Sequence, residues 1–317
     1  VNNEDRSGYR FRAGYWFDCC MCSGIEAEYF QLDTKTDSYD AFCPPGGTLN
    51  RPFFNVQTGL QDSELVCYPG VVNGSVHVNA DSDFQSGGLR FVKNYCQREW
   101  CLPAGDCCDK MIRGGYRLDW LAGYRYMRLD EGVMINEMLV STNSGGVIPL
   151  GTTFDVQDNF QTDSEFHGAD FGMMAQWRRG RWTLDVLGKT AVGNVHNSVT
   201  INGSTTTMVP NGPTTTNSGG LLTQATNIGA YESDDFSIVP EASLNIGYNV
   251  TPRLRALVGY TFIYWSNVVR PGDQIDLGLN PSQFPPGTLV GAARPAFTMN
   301  DSDFWAQGFN VGAEYRF

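Results

Sequence analysis

The most reactive side chains in this sequence are its nine cysteines, and all of them precede residue 110. In an exported protein, so many cysteines indicate disulfide bonds. We predict a Cys43–Cys67 bridge within one external loop and a cross-linked patch among the other seven. Because seven is odd, at least one thiol should be free or bonded to a second copy or a partner protein. The seven are Cys19, Cys20, Cys22, Cys96, Cys101, Cys107 and Cys108.

Metal coordination is the competing interpretation of these cysteines. Structural zinc sites and iron-sulfur clusters use thiolates at regular spacings, usually in paired C-x-x-C units. The sequence lacks such pairs, and it also lacks the C-x-x-C-H motif of covalent haem attachment. We therefore expect no metal or cofactor at the cysteines.

A second group of candidate residues consists of acids in a weak repeat, which recurs as Asp81-Ser-Asp-Phe84, Asp163-Ser-Glu-Phe166, Ser233-Asp-Asp-Phe236 and Asp301-Ser-Asp-Phe304. One interpretation is a solvated acidic rim above aromatic residues at a lipid interface. The other is a ring of carboxylates that binds divalent cations such as Ca²⁺ or favours cation passage. This ring would consist of Asp83, Glu165, Asp235 and Asp303.

No pattern in the sequence indicates an enzyme. The three histidines, His77, His167 and His196, form no H-E-x-x-H motif and have no nucleophile motif beside them. Gly188-Lys189-Thr190 has Thr183 where a phosphate-binding loop needs glycine. We predict no catalysis.

Charge and hydropathy exclude two further classes of protein. A net charge of −12 argues against binding nucleic acid, which needs a basic surface. No run of 18 apolar residues is present, so a transmembrane helix is not expected. The chain opens on the polar residues 1–5, and we expect an export signal to have been removed before them.

The elements that must position these residues are β-strands. The 36 glycines, 14 tyrosines and 19 phenylalanines favour strands and turns. The segment 303–317 alternates strictly and carries Phe309, Val311, Tyr315 and Phe317 on one face. This ending resembles the assembly signal of bacterial outer-membrane barrels. Periodicity alone also allows a soluble β-sandwich, in which the same face would be buried.

Alternation predicts eight strands, and residues 9–17 and 71–78 could raise the count to ten or twelve. The predicted fold is all-β, a transmembrane antiparallel up-and-down barrel with short periplasmic turns and long external loops. Residues 1–23 would form a cysteine-containing periplasmic segment, and residues 24–317 would form the barrel. The strands lie near 24–32, 87–94, 117–126, 170–178, 181–189, 241–250, 254–266 and 303–317, and the loops lie near 33–86, 130–163, 195–235 and 267–302.

The predicted inner faces carry charges of both signs, among them Glu28, Arg125, Lys189 and Glu241. In an eight-stranded barrel these side chains would pair and fill the lumen.

The order of segments is similar to that of the putative beta-barrel porin family abundant in planctomycetes, the seventh family of that name. The matching pieces lie at residues 24–30, 182–193, 239–249, 257–265 and the final strand. The resemblance implies a barrel in the outer membrane, in contact with its lipid, and implies no catalytic residues.

Two functions remain open. One is a passive channel for small solutes, which requires an open lumen. The other is a non-conducting structural or surface-assembly barrel, oligomerised or cross-linked through its N-terminal cysteines. The family name favours the channel, and the surplus of cysteines favours the structural barrel.

Overall fold

The computed structural model describes residues 5–103, 111–284 and 287–317. The strands are β1 Gly8–Trp16, β2 Ser23–Phe42, β3 Leu49–Asn55, β4 Leu60–Cys67, β5 Val72–Pro103, β6 Met111–Ser141, β7 Thr153–Arg179, β8 Trp182–Met208, β9 Thr214–Ser218, β10 Gly229–Asn249, β11 Leu254–Val269, β12 Gly278–Leu279 and β13 Asp301–Tyr315. Short 3₁₀ turns occupy Pro271–Gln274 and Pro281–Gln283. Across the described ranges, no helix has the length and apolar character needed to cross a membrane.

Nine strands form one antiparallel path in the order β1-β2-β5-β6-β7-β8-β10-β11-β13, and β9 pairs with β8 as the tenth member of the sheet. A smaller sheet holds β12, β3 and β4. The predicted all-β, up-and-down antiparallel architecture is confirmed. The predicted count of eight strands is not, because the segment near residues 9–17 pairs with β2 as a ninth strand of the path.

The sheet curls strongly, although no ladder joins β1 to β13 among the described residues. Its inner face brings distant strands into contact: the rings of Phe84 on β5 and Phe304 on β13 have centroids 4.9 Å apart. Trp265 on β11 also contacts Phe84, at 6.4 Å, and Phe166 on β7, at 6.2 Å. The concave face is therefore a packed interior.

The central strands are far longer than alternation predicted. The segments 33–86, 130–163 and 195–235 were predicted as loops, yet they consist largely of strand because β2, β5, β6, β7, β8 and β10 continue through them. A bilayer is crossed by about 9–11 residues of a tilted strand, and β6 alone has 31. About half of each long strand must lie outside any membrane.

The missed halves of the strands reverse their polarity. On β6, Trp120 and Tyr124 point outward and the charged Asp119 and Arg125 point inward. Just beyond Tyr126, the outward positions become polar, as at Arg128, and apart from Glu131 and Glu137 the buried inward positions become apolar. These inward residues are Met127, Leu129, Val133 and Leu139.

Candidate functional site: the filled interior of the sheet

The half of the interior nearer the short β7–β8 and β10–β11 turns, hereafter the lower half, contains a network of ion pairs centred on Lys189 of β8. Its Nζ lies 3.3 Å from Glu28 Oε1 on β2 and 3.1 Å from Glu241 Oε2 on β10. β2 and β8 are four strands apart in the sheet, so the first contact crosses the interior. All three side chains are buried.

Arginines from four more positions complete this network. Arg90 Nη2 lies 2.8 Å from Glu28 Oε2, and Arg125 Nη2 lies 2.8 Å from Glu241 Oε2. From the edge strand β1, Arg12 contacts Glu28 at 3.0 Å and Arg10 contacts Glu241 at 3.4 Å. Each carboxylate therefore has several cations around it, as a buried charge requires.

A second charged layer lies nearer the short turns. Arg255 Nη1 lies 2.9 Å from Asp185 Oδ2 and also pairs with Glu314. Arg117 Nε lies 2.6 Å from Asp119 Oδ2, and the Arg117 guanidinium donates to the Met21 carbonyl. Ion pairs thus occupy two successive levels of the lower interior.

An apolar layer lies directly above the ion pairs. Its largest buried members are Phe84, Phe166 and Trp265, each no more than 1% exposed. Met127, Leu129, Val195 and Ile263 fill the space between these rings. A water-filled path along the interior of the curled sheet would have to cross this apolar layer as well as the ion pairs.

The upper interior is filled by chain that folds in from the connections. The β3–β4 hairpin places Arg51 between Glu137 of β6 and Asp158 of β7, with Arg51 Nη2 at 2.9 Å from Asp158 Oδ2. Asp158 Oδ1 also accepts hydrogen bonds from the backbone N–H groups of Leu222 and Thr223, both 2.9 Å away. The Asp158 carboxylate therefore binds both the β3–β4 hairpin and the segment 222–223 to β7 of the main sheet.

Glu64, on the partner strand of the hairpin, lies beside these acids. Burial and the charge of Glu137 raise the pKa of Glu64 to about 8, and burial likewise raises the pKa of Glu137. Oε2 of each carboxyl is buried without a hydrogen-bond partner. Three acids and one guanidinium share this pocket, so a proton on Glu64 offsets the excess of negative charge.

Another tether holds the connection that follows β11. Arg270 donates to both carboxylate oxygens of Glu131, at 2.8 and 2.9 Å. Beside this pair is a cavity of about 70 Å³, lined in part by Asp81 and Asp273. The connection is therefore fixed against β6.

The predicted acidic ring does not assemble on one face of the sheet. Asp83, Glu165 and Asp303 alternate with buried residues and point outward, whereas Asp235 shares the inward parity of Ser237 and Val239. Thr34 donates to Asp83, Tyr126 donates to Glu165, and Ser233 donates to Asp235. In the ranges described, no group of three or more acids, histidines or cysteines is arranged to hold a metal ion.

One of the two predictions about the cysteines is confirmed. Cys43 and Cys67 form the predicted disulfide. Cys19, Cys20 and Cys22 are exposed free thiols in the β1–β2 turn, and Cys96 is a half-buried free thiol on β5. The side chain of Cys101, together with Cys107 and Cys108, lies outside the described residues, so the predicted cross-linked patch stays a prediction.

The turn that carries the three exposed thiols is ordered by Asp18. Its carboxylate accepts the backbone N–H groups of Cys22, at 2.8 Å, and Ser23, at 3.0 Å. Partial desolvation and the nearby Asp18 charge raise the pKa of the Cys22 thiol. The thiol form therefore predominates at neutral pH.

The predicted assembly residues lie on the outward face of the last strand and just after it. Phe309, Val311 and Tyr315 are exposed there, and Phe317 is exposed beyond the strand's end. Exposed apolar side chains of the lower strands continue this surface around the sheet, including Trp120, Phe171, Trp182, Leu244 and Val258. So large an exposed apolar surface indicates contact with lipid or with another protein.

The sequence predicted that the charges of the lower strands point inward, but it did not predict which residues fill the upper interior. The apolar layer went unnoticed because its residues alternate with acids that were taken for loop. The positions of Arg51 and Glu64 carried no signal, since their partners lie on strands that are distant in sequence.

A family model described as Putative beta barrel porin-7 (BBP7) matches residues 1–317. Comparisons with curated proteins and with solved structures find no match.

Proposed function

The chain belongs to the Putative beta barrel porin-7 family, and from this premise we propose that it is a structural outer-membrane barrel whose own side chains close it to solutes. The family implies an outer-membrane location. The short turns would face the periplasm, and the long upper halves of the strands would stand outside the cell. The lower sheet, with its exposed apolar face, would lie in lipid.

One observation carries this proposal: Lys189 is bound by Glu241 of the neighbouring strand and by Glu28 from across the interior, at a level where the outer face is apolar. An open porin has a water-filled lumen at that level. Here the side chains are buried and paired, and a dry aromatic layer covers them.

A passive channel for small solutes is the second candidate, and the family description supports it. It would require the inserted hairpin and the ion pairs to move aside together. The contacts of Arg51 and Arg270 oppose that movement, because each would leave buried carboxylates without a partner.

The free thiols of the β1–β2 turn support an additional structural role. Cys19, Cys20 and Cys22 are exposed at the proposed periplasmic end, where an oxidising compartment favours disulfides. We propose that this turn forms a covalent link to a second copy or to a periplasmic partner protein.

Planar-bilayer conductance of the detergent-purified protein tests the closed barrel. The wild type should insert without stepwise conductance, whereas a double variant, K189A with E241A, should open a gap in the charged layer. The matched control, K93A with E232A, removes one positive and one negative charge at outward positions. Stepwise conductance of the wild type would contradict the closed barrel and favour the channel.

Non-reducing electrophoresis of the same sample tests the covalent link. A slower band that disappears on reduction and in a C19S/C20S/C22S variant is expected. A single monomer band from freshly prepared membranes, with thiols blocked before lysis, would contradict the link.

A further inference from the structure

A groove lies on the outward face of β6, β7 and β8, within the apolar surface described above. It has a volume of about 510 Å³, within the ~300–1,000 Å³ typical of ligand sites. Its walls are Trp120 and Leu118 on β6, Phe171 and Met173 on β7, and Val186 on β8. Its floor opens at Gly188, where an added Cβ would meet no atom within 4 Å.

The position of the groove along β8 sets how much of a hydrocarbon chain could lie in it. Gly188 lies six positions along β8 from Trp182, the first residue of the strand. At ~3.3 Å per residue and a tilt near 45°, that length spans roughly half of a hydrocarbon core. A chain lying in the groove would thus run from the middle of the bilayer to the interface on the side of the short turns.

Unpaired positive charge lies at the lower end of the groove. Arg179 and Arg181 flank Gly180, whose φ of +62° permits the tight β7–β8 turn. Both arginines are exposed, and neither forms an ion pair within the described ranges. Arg181 makes a hydrogen bond to the Tyr248 hydroxyl at 3.5 Å.

The aromatic residues at this end are those expected at a lipid headgroup. Trp177 and Trp182 are both exposed beside the arginines, and Trp182 packs edge-on against Tyr248 with ring centroids 4.9 Å apart. Amphipathic aromatic rings are favoured at the membrane interface. In a protein with a net charge of −12, two guanidinium groups that form no ion pair among the described residues, on the turn that joins two strands of the groove, select an anionic group.

We propose that this face is a binding site for an anionic phospholipid, with one acyl chain in the groove at Gly188 and the phosphate on Arg179 and Arg181. The proposal rests on the outer-membrane placement proposed above. Arginine is suited to the phosphate because its planar guanidinium can donate two parallel hydrogen bonds. The lipid would come from the periplasmic leaflet.

Native mass spectrometry of the detergent-purified full chain tests this site. Phosphatidylglycerol and phosphatidylcholine with identical acyl chains are added in turn, and the bound fraction is counted. We expect at least a fivefold preference for phosphatidylglycerol. The preference should fall to near unity in a G188L variant, which fills the groove, and in an R179Q/R181Q variant.

Matched variants separate the site from general effects. A256L adds the same bulk on the outward face of β11, and R316Q removes one positive charge at the same end of the sheet. Both should keep the preference, and added inorganic phosphate should not displace the lipid. Should leucine at Gly188 disturb folding, G188V is the smaller filler.

Equal binding of both lipids by the wild type would overturn the proposal. So would a preference that survives both site variants, or one that is lost in R179Q/R181Q but unchanged in G188L. Heat-modifiable mobility and bilayer insertion are measured on the same sample. A protein that inserts but shows no lipid preference refutes only this site, whereas one that fails to insert refutes the membrane placement itself.

Discussion

The lower and upper halves of the same strands place polar and apolar residues on opposite faces. Below Tyr126, β6 presents tyrosine, tryptophan and leucine outward and buries Asp119 and Arg125; above it, the strand exposes Arg128 and Asp130 and buries Met127 and Leu129. The lower half is arranged as a barrel in lipid, and the upper half as a water-soluble sheet. In the outer-membrane placement proposed above, the level at which polarity reverses would mark the outer surface of the membrane.

The halves also differ in what fills them. The lower interior is closed by side chains from the strands themselves, such as Lys189 and Glu28, which are held by continuous ladders. The upper interior depends on a separate hairpin and on loop segments that are tied by a few contacts such as Arg51 to Asp158. Disturbing the lower half should therefore affect the whole barrel, and disturbing the upper half should act locally.

The largest effect is expected for K189M. Removing the ammonium group leaves two buried carboxylates short of a partner, which typically costs about 3–5 kcal/mol. The free energy of unfolding, measured by urea titration of the protein in vesicles, should fall by that amount. K35M, which removes the part-exposed Lys35–Asp37 pair in the upper half of β2, should change it by less than about 1 kcal/mol. Equal effects of the two variants would remove the distinction between filled interior and surface.

The next largest effect is expected for R51M, and it should be confined to the upper half. Glu137 and Asp158 would stay buried without their guanidinium, at a local cost of about 3 kcal/mol. Hydrogen exchange should accelerate in residues 49–67 and 220–224 while β8 near Lys189 keeps its protection. R294M is the control, because the half-exposed Arg294–Asp276 pair is worth little. Loss of protection throughout the lower strands would show that the halves are not independent.

A smaller effect is expected for the double variant C43S/C67S. The bridge spans 24 residues and encloses the hairpin, so its loss should cost the hairpin about 2–3 kcal/mol. Limited proteolysis within 44–66 should become faster, and reduction of the wild type should reproduce the effect. Cutting that is equally slow with and without the bridge would contradict this role.

The smallest effect is a dependence on pH that E64Q should abolish. The folded-state pKa of Glu64, about 8, lies above its unfolded value, so the folded hairpin binds the extra proton. Its stabilising contribution is complete below about pH 4.5 and is lost as the pH rises through about 8. Hairpin protection factors, which are corrected for the base-catalysed rise of the intrinsic exchange rate, should fall from pH 5 to 9 in the wild type and stay flatter in E64Q. A wild-type profile that is flat across this range would contradict the assignment.

Alternation in the sequence predicted the lower strands well because lipid and a charged interior impose strict two-residue periodicity, as in Trp182, Leu184 and Val186 against Asp185. It missed the upper strands because polar outward residues there resemble a loop. The contact between Arg51 and Glu137 joins residues 86 apart, and no local pattern encodes such a pairing. The sequence predicted that Lys189 lies among interior charges of both signs, but not which of them it contacts.

The continuous ladders of the upper strands have a mechanical consequence. From Met127 to Ser141, β6 is hydrogen-bonded on both sides, and in the proposed membrane placement, with the tilt of a barrel strand, this portion would rise ~35 Å beyond the lipid. Long external loops without secondary structure are flexible, and they lose conformational entropy when a partner binds them. The upper strands have already lost most of that conformational entropy on folding. A molecule that binds at their ends would therefore contact a preformed surface.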